Sequence, residues 1–298
     1  IPTYLISKFA RKKITVALAG DGGDELFGGY NRYVASPKIW KAFSLLPKNI
    51  KILLANLILS VPSLRIDSFF KLINYFLISK KKFVGSRAHR VAERLKNNNS
   101  LYDFCEDFAV EWKDLDGILN VEKKDKDCFQ DLFEQNTNNI IEFLDPISRL
   151  MYKDTLTYLP DDILCKVDRA SMYSGLEVRS PFLNEPIAKF AWEIPLNMKI
   201  KNNQGKWLLR QLLYSYIPKN LVDRPKAGFA IPVGDWLRTS LKDWAEDLLS
   251  QKSITNYNYF NYDIVKKTWE LHLSGKYDFT PKLWSILIFQ SWLKNIKK

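Results

Sequence analysis

The stretch Ile14-Thr15-Val16-Ala17-Leu18-Ala19-Gly20-Asp21-Gly22-Gly23-Asp24-Glu25-Leu26-Phe27-Gly28-Gly29-Tyr30 decides how this chain is read. Its first part, Ile14 to Ala19, has the apolar pattern of a parallel strand buried on both faces. Such a strand needs partners, and no second run of this quality follows. The remaining sequence is dominated by helical periodicity. The lone strand therefore predicts a sheet begun upstream, with this chain as the C-terminal portion of a longer protein. The expected fold class is α/β, mainly helical, with an incomplete parallel sheet.

Five of the twelve glycines fall within residues 20–29. The loop leaves the C-terminal end of the strand, where open α/β sheets bind ligands. Glycines there let backbone N–H groups approach one anion. The type of anion site is narrowed by what is missing. A Walker loop needs Gly-Lys-Ser/Thr, and the loop has no lysine; a GxGxxG fingerprint from Gly20 fails at Glu25. Instead Asp21, Asp24 and Glu25 bring three carboxylates. Beside a bare phosphate they repel, whereas Mg²⁺ joins one or two carboxylates to phosphate oxygens. The pattern suggests a Mg-nucleotide or Mg-pyrophosphate site. The competing reading is a tight turn whose acidic residues open a helix.

Outward from the loop, residues 3–12 read as a helix. A helical stretch runs to about residue 97, with Pro37, Pro47 and Pro62 at or near helix ends. Ser100 caps a predicted helix over 101–112, with Leu101, Phe104, Cys105 and Phe108 inward. Two helices over 146–158 and 161–173 are expected to break at Pro160. Further amphipathic helices are expected over 185–192, 206–216, 233–249, 263–272 and 281–296. Residues 113–139 give no clear pattern. With no repeat or linker, the expectation is one unit, with an α/β edge over 1–30 and a helical part over 31–298.

Composition excludes several classes of function. The 298 residues are 46% hydrophobic and 14% aromatic, so the chain is not a disordered tail. No apolar run approaches the roughly 18 residues of a membrane span, and no signal peptide is expected. Three cysteines, Cys105, Cys128 and Cys165, give neither a disulfide framework nor a CxxC site, and suggest a reducing cytoplasm. Two histidines, His89 and His272, exclude a histidine-cluster metal site. Net charge is +12, and the excess sits in residues 1–97, with 18 basic and 5 acidic side chains. The cluster over residues 80–96 lacks interleaved aromatics, so a solvated face is preferred over a nucleic-acid platform. The nine tryptophans read as core anchors.

Two more clusters carry charge. Asp161 to Ser171 places Asp168 on an apolar-striped helix, followed by Glu177-Val178-Arg179-Ser180-Pro181-Phe182. Arg179 suits a carboxylate or phosphate, although a solvated helix is the default for the cluster. Lys226 lies in a Pro- and Gly-bounded loop, Arg224-Pro225-Lys226-Ala227-Gly228-Phe229. Lys206 follows Gly205 at a helix start, where N–H groups add to the anion field. Alone, each lysine reads as a surface residue.

Together these strings resemble the C-terminal synthetase domain of glutamine-dependent asparagine synthetases. The matching pieces are Val16 to Tyr30, Asp168 to Met172 with Leu176 to Leu183, Gly205 to Arg210, and Arg224 to Phe229, in order along the chain. The resemblance implies an adenine-nucleotide α-hydrolase-like (ATP-pyrophosphatase) fold and a ligase using ATP and Mg²⁺. ATP adenylates the side-chain carboxylate of aspartate, and ammonia from an N-terminal glutaminase domain attacks the adenylate. Carried over, Asp24 holds Mg²⁺. Ala19, Gly20, Gly22, Gly23, Glu25, Lys206, Asp168 and Arg179 face the nucleotide. Asp21 and Lys226 are catalytic, with Lys226 stabilising charge on the departing phosphate. Asp21 stands where familiar members have Glu, one methylene longer.

The family's pyrophosphate loop, Ser-Gly-Gly-x-Asp-Ser, and its glutaminase cysteine do not occur in these residues, so little activity is expected of the isolated chain. A homodimer is compatible with the resemblance, while a membrane or nucleic-acid partner is not expected. Two alternatives remain. One is a related amidotransferase acting on a surface-polysaccharide sugar or another carboxylate. The other is a catalytically silent fragment or scaffold.

Overall fold

The computed structural model describes residues 1–76, 84–98, 100–106, 111–112, 115–120, 144–223 and 231–296. These residues are mainly helical, with one two-stranded parallel sheet. Contacts divide the chain into two units. Ile1–Ala42, Ser100–Ala109 and Asn139–Ala230 form the first; Phe43–Asn99, Val110–Asn138 and Ile231–Lys298 form the second.

In the first unit, helix Pro2–Arg11 precedes strand β1 (Val16–Leu18). Its partner is β2 (Glu177–Arg179), in the register Val16 to Glu177, Ala17 to Val178 and Leu18 to Arg179. The sequence reading did not anticipate β2. It is three residues long and charged at both ends, too little for a period-two signal. Nor is β1 buried on both faces: Val16 is 40% and Leu18 74% exposed. A sheet of two short strands offers too little surface to cover both faces.

After β1 the chain turns through Gly22, whose φ of +85° is easily adopted only by glycine, into the short helix Gly23–Leu26. Leu26 and Phe27 are buried and form a small core with Ala191 and Ile194, flanked by Phe182, Leu183, Leu208 and Leu209. Apolar packing thus pins the acidic glycine loop from below. Helix Asn31–Ser44 carries Pro37 within it, not at an end as expected. Helix Pro146–Leu156 is capped by the Asp145 carboxylate, which accepts the N–H groups of Ile147 and Ser148. The expected break at Pro160 is displaced. Pro160 sits at the start of a π-helical turn, Leu159–Leu164, that runs on into helix Cys165–Tyr173.

The second unit has its own core, built on Ile118, Leu237, Leu248, Ile254, Val265, Leu283 and Leu287. Helix Thr280–Ile296 buries Leu283, Ile286, Leu287, Gln290 and Leu293, the helical spacing of one face. The single helix expected over 233–249 is two, Val233–Arg238 and Lys242–Leu249. The break has a local cause. Thr239 leaves helical backbone geometry (φ −130°, ψ −98°), and the Leu241 N–H returns to the Trp236 carbonyl (2.7 Å). Trp269 is a core residue, whereas Trp292 is 54% exposed and rests its ring against Phe289. Cys105 is buried and Cys165 exposed. Phe108, Cys128, Lys80 to Lys82 and residues 121–139 lie outside the described residues. Among the described residues no single helix is long and apolar enough to cross a membrane.

His272 is fully buried in this second core. Its Nδ1 accepts from the Phe279 N–H (3.3 Å) and faces an Arg238 guanidinium nitrogen (3.2 Å). Two donors at Nδ1 place the ring proton on Nε2. Burial, and then Arg238, lower its pKa to about 4, against a weaker opposing pull from Asp278. Between pH 6.5 and about 4 the unfolded chain therefore binds a proton that the folded chain refuses. Stability is complete above pH 6.5 and falls as pH drops through that window, by on the order of 3 kcal/mol. Asparagine keeps an acceptor without titrating. In urea titrations the stability advantage of wild type over His272→Asn should shrink between pH 7 and 4. Parallel pH profiles for the two proteins would contradict this account.

Candidate active site

The site begins where β1 ends. The Ala19 N–H donates to the Arg179 carbonyl (2.8 Å), which closes the sheet. The chain then folds tightly: the Gly23 N–H meets the Gly20 carbonyl (3.2 Å) and the Gly29 N–H the Asp24 carbonyl (2.8 Å). Glycines do two different things in this loop. A Cβ on Gly29 would lie 2.0 Å from Asp24 Oδ1 and 2.2 Å from Lys206 Cε, and one on Gly205 would lie 2.2 Å from the Gly28 carbonyl oxygen. Those positions are glycine because two segments touch. A Cβ on Gly20 would meet nothing within 4 Å, so packing does not require glycine there.

The second segment is a strained turn. Lys201 and Gln204 exchange both backbone hydrogen bonds (3.1 and 2.9 Å), and Asn202, Asn203 and Lys206 all have φ between 51° and 63°. Asparagine takes the left-handed region readily in a two-residue turn, whereas a lysine there must be held from outside. The hold is visible. The Lys206 N–H donates to the Phe27 carbonyl (3.0 Å) and Arg210 Nε donates to the Gly205 carbonyl (3.1 Å). The result brings Lys206 Nζ to 3.1 Å from Asp24 Oδ1, both side chains being about 30% exposed.

The three loop carboxylates have separate environments. Asp24 pairs with Lys206. Asp21 is half-buried; burial raises its pKa, while Lys166, a hydrogen bond from Ser180 and Lys206 oppose the rise. Among the described residues its Oδ2 is buried with no hydrogen-bond partner. Glu25 is buried and turned inward, its carboxylate accepting the Tyr30 hydroxyl (2.5 Å). Burial raises Glu25, and Tyr30 opposes it.

Beneath Glu25 lies a polar floor. The rings of Tyr33 and Tyr158 meet Tyr30 edge-on. The Arg32 guanidinium sits 4.9, 5.7 and 5.2 Å from the ring centroids of Tyr30, Tyr33 and Tyr158. Arg32 pairs with Asp154 (2.6 Å), which also accepts the Tyr33 hydroxyl. Burial alone would lower the Arg32 pKa, but Asp154 outweighs it and the group stays charged. Burial also raises Tyr30 and Tyr33, so both hydroxyls remain donors.

The structure thus gathers Ala19, Gly20, Asp21, Gly22, Gly23, Asp24, Glu25 and Lys206 at one loop. Asp168 is exposed and lies beside Arg169 (3.8 Å). Arg179 borders the loop through its backbone, but its exposed side chain donates to Glu177 (2.6 Å). Lys226 lies outside the described residues. Asp223, just before it, is held by Arg210 (3.0 Å) and Tyr214 (2.6 Å). Lys166, Ser180, Tyr30 and Arg32 were not singled out by sequence. Lys166 and Ser180 sit inside quoted motifs, two residues before Asp168 and one after Arg179, which is the signal that was there to use.

Among the described residues no group of three or more His, Cys, Asp or Glu side chains stands ready for a metal. A cation here would take one or two carboxylates and complete its shell from phosphate and water. The orphaned Asp21 Oδ2 beside Asp24 fits that arrangement. The open space at Gly20 fits close approach of a ligand.

The two kinds of glycine separate in experiment. Gly205→Ala should destabilise the first unit by about 1–3 kcal/mol, because a backbone contact must give way. Gly20→Ala should leave stability within about 0.5 kcal/mol yet weaken nucleotide binding. Denaturant melts paired with nucleotide titrations check both. Equal stability losses at the two positions would show the contrast to be wrong.

Comparison with known proteins identifies the family. The family described as asparagine synthase matches residues 1–294. Asparagine synthetase (glutamine-hydrolyzing) 1 of Bacillus subtilis is 30% identical over 305 residues, covering 100% of this chain and 43% of the relative. A putative asparagine synthetase (glutamine-hydrolyzing) of Mycobacterium tuberculosis is 28% identical over 294 residues, covering 98% of this chain and 41% of the relative. The asparagine synthetase (glutamine-hydrolyzing) of Gallus gallus is 29% identical over 143 residues, covering 41% of this chain and 24% of the relative. The chain therefore spans 43% and 41% of the two bacterial relatives. With a family match running almost end to end, the chain belongs to the asparagine synthase family.

Proposed function

We propose that these residues form the nucleotide-handling part of an ATP-dependent, amide-forming ligase of the asparagine synthetase type, in an ATP-pyrophosphatase-like domain. In that reaction the aspartate side-chain carboxylate is adenylated with release of pyrophosphate. Ammonia, supplied from glutamine by a glutaminase domain, then displaces AMP to give asparagine. The observation that carries the reading is the glycine loop at the end of β1, with Asp24 paired to Lys206 at 3.1 Å and Asp21 Oδ2 unpartnered.

Each part of the loop has a task. The turn at Gly20 to Gly23 brings backbone close to a phosphate or ribose without side-chain obstruction. Asp24 would hold Mg²⁺, which would supply charge neutralisation to the phosphates when bound. Lys206 adds positive charge at the same edge, and Lys226 is assigned the corresponding role on the departing pyrophosphate. Asp21, its pKa raised by burial, is the carboxylate placed to accept a proton from the attacking amine. Glu25 acts from below, tying the loop to Tyr30. Asp168 and Arg179 are the outer members of the nucleotide set. The wider assignment to a reducing cytoplasm and to a homodimer belongs to the same proposal. So does low activity of these 298 residues alone, since the pyrophosphate-loop string is not among them.

The test is turnover by a protein that carries these residues together with a pyrophosphate loop and glutaminase. With ATP, Mg²⁺, aspartate and glutamine it should release pyrophosphate and form asparagine. Asp24→Asn should lower pyrophosphate release by at least about a hundredfold, the scale of losing an electrostatic clamp. Wild-type turnover in that variant, or amide formation on another acceptor with none on aspartate, would overturn the assignment.

A further inference from the structure

Lys206 is not a surface lysine that happens to meet a carboxylate. Its stem passes between two glycines: a Cβ on Gly29 would sit 2.2 Å from Cε, and one on Gly23 would sit 3.6 Å from Nζ. Its backbone is left-handed (φ 55°) and fastened through its own N–H to the Phe27 carbonyl (3.0 Å). The pose is thus built by the fold, and the ammonium is delivered to Asp24 Oδ1 at 3.1 Å. Asp21 feels the same charges: Asp24 raises its carboxyl, while Lys166 and Lys206 lower it. Two carboxylates this close repel unless a cation sits with them. In the structure, a lysine supplies that cation.

We propose that Lys206 is a resident stand-in for the divalent ion. Its ammonium holds Asp24 until a metal-bearing triphosphate arrives, then yields Asp24 to the metal and turns to a phosphate oxygen. This inference rests on the metal-nucleotide reading of the loop. The backbone clamp leaves the exchange to the side chain alone. The bond to Phe27 comes from the Lys206 N–H, so Nζ can leave Asp24 while the strained turn stays closed. The arrangement also keeps the empty loop from presenting bare carboxylates to stray cations, which makes metal entry dependent on a phosphate that can receive the lysine.

Removing the ammonium should therefore strengthen metal binding in the absence of nucleotide. The probe is Mn²⁺ alone, titrated into the chain and followed by electron paramagnetic resonance of the free ion. Lys206→Met, and Lys206→Gln as a second neutral variant, should bind Mn²⁺ about fivefold more tightly than wild type, the scale of one half-exposed ion pair. Lys206→Arg, which keeps the charge, should stay within about twofold of wild type. Asp24→Asn should abolish the binding in each background. Circular dichroism melts identify which of the neutral variants is folded and so interpretable. Unchanged or weaker Mn²⁺ affinity in the folded neutral variant, with binding still dependent on Asp24, would remove the stand-in role and leave the metal site. Mn²⁺ binding that ignores Asp24, or is absent from every variant, would remove the metal reading and this inference with it.

Discussion

One backbone contact organises the candidate site: the Lys206 N–H on the Phe27 carbonyl at 3.0 Å. It joins two segments about 180 residues apart in sequence, the loop after β1 and the strained turn before helix Trp207–Tyr214. The contact depends on Gly29 and Gly205, since an added methyl group would collide with the Asp24–Lys206 pair at Gly29 and with the Gly28 carbonyl at Gly205. From this one constraint follow the left-handed Lys206, the threaded lysine stem and the ion pair at Asp24. A single hydrogen bond is worth only about 1 kcal/mol net. Its effect on function comes from where it aims a charge, not from how much it stabilises.

The loop is held on its other side by burial. Leu26 and Phe27 lock it to the helices behind, and Glu25 reaches a floor of three tyrosines and the Arg32–Asp154 pair. A buried ion pair contributes little stability against an apolar alternative but is expensive to break. Here it sits under three aromatic rings, so that the floor has few ways to rearrange. The division of labour among three adjacent acids follows: Glu25 is structural, while Asp21 and Asp24 remain at the rim. Identical chemistry in sequence becomes different chemistry in place, decided by which side chain finds a partner below the loop.

The legible and illegible parts of the chain differ for physical reasons. The loop was legible because glycine clustering with acids is rare and because its function depends on local backbone geometry. The helices over 185–193 and 262–273 were legible from their apolar period. Strand β2 was not, since three residues between charged ends carry no period. The break at Thr239 was not, because a backbone turn there (φ −130°, ψ −98°) comes without a Gly or Pro in the sequence. Burial of β1 was overestimated because an apolar run does not say how many neighbours a strand has. The inward turn of Glu25 depends on Tyr30, five residues away, and the pairing of Asp24 with Lys206 depends on a contact across most of the first unit. Long-range pairings of this kind leave no trace in spacing. The resemblance supplied the list of site residues, while the geometry showed Asp24 and Lys206 meeting at 3.1 Å.

The most direct measurement is a crystal structure of the chain, joined to a pyrophosphate loop, with a magnesium nucleotide bound. The account predicts an Asp24 oxygen about 2.1 Å from the metal, phosphate oxygens against the Gly20–Gly23 backbone, and Lys206 Nζ moved from Asp24 to a phosphate. Asp21 and Asp24 turned into bulk solvent, with the nucleotide seated elsewhere, would contradict it.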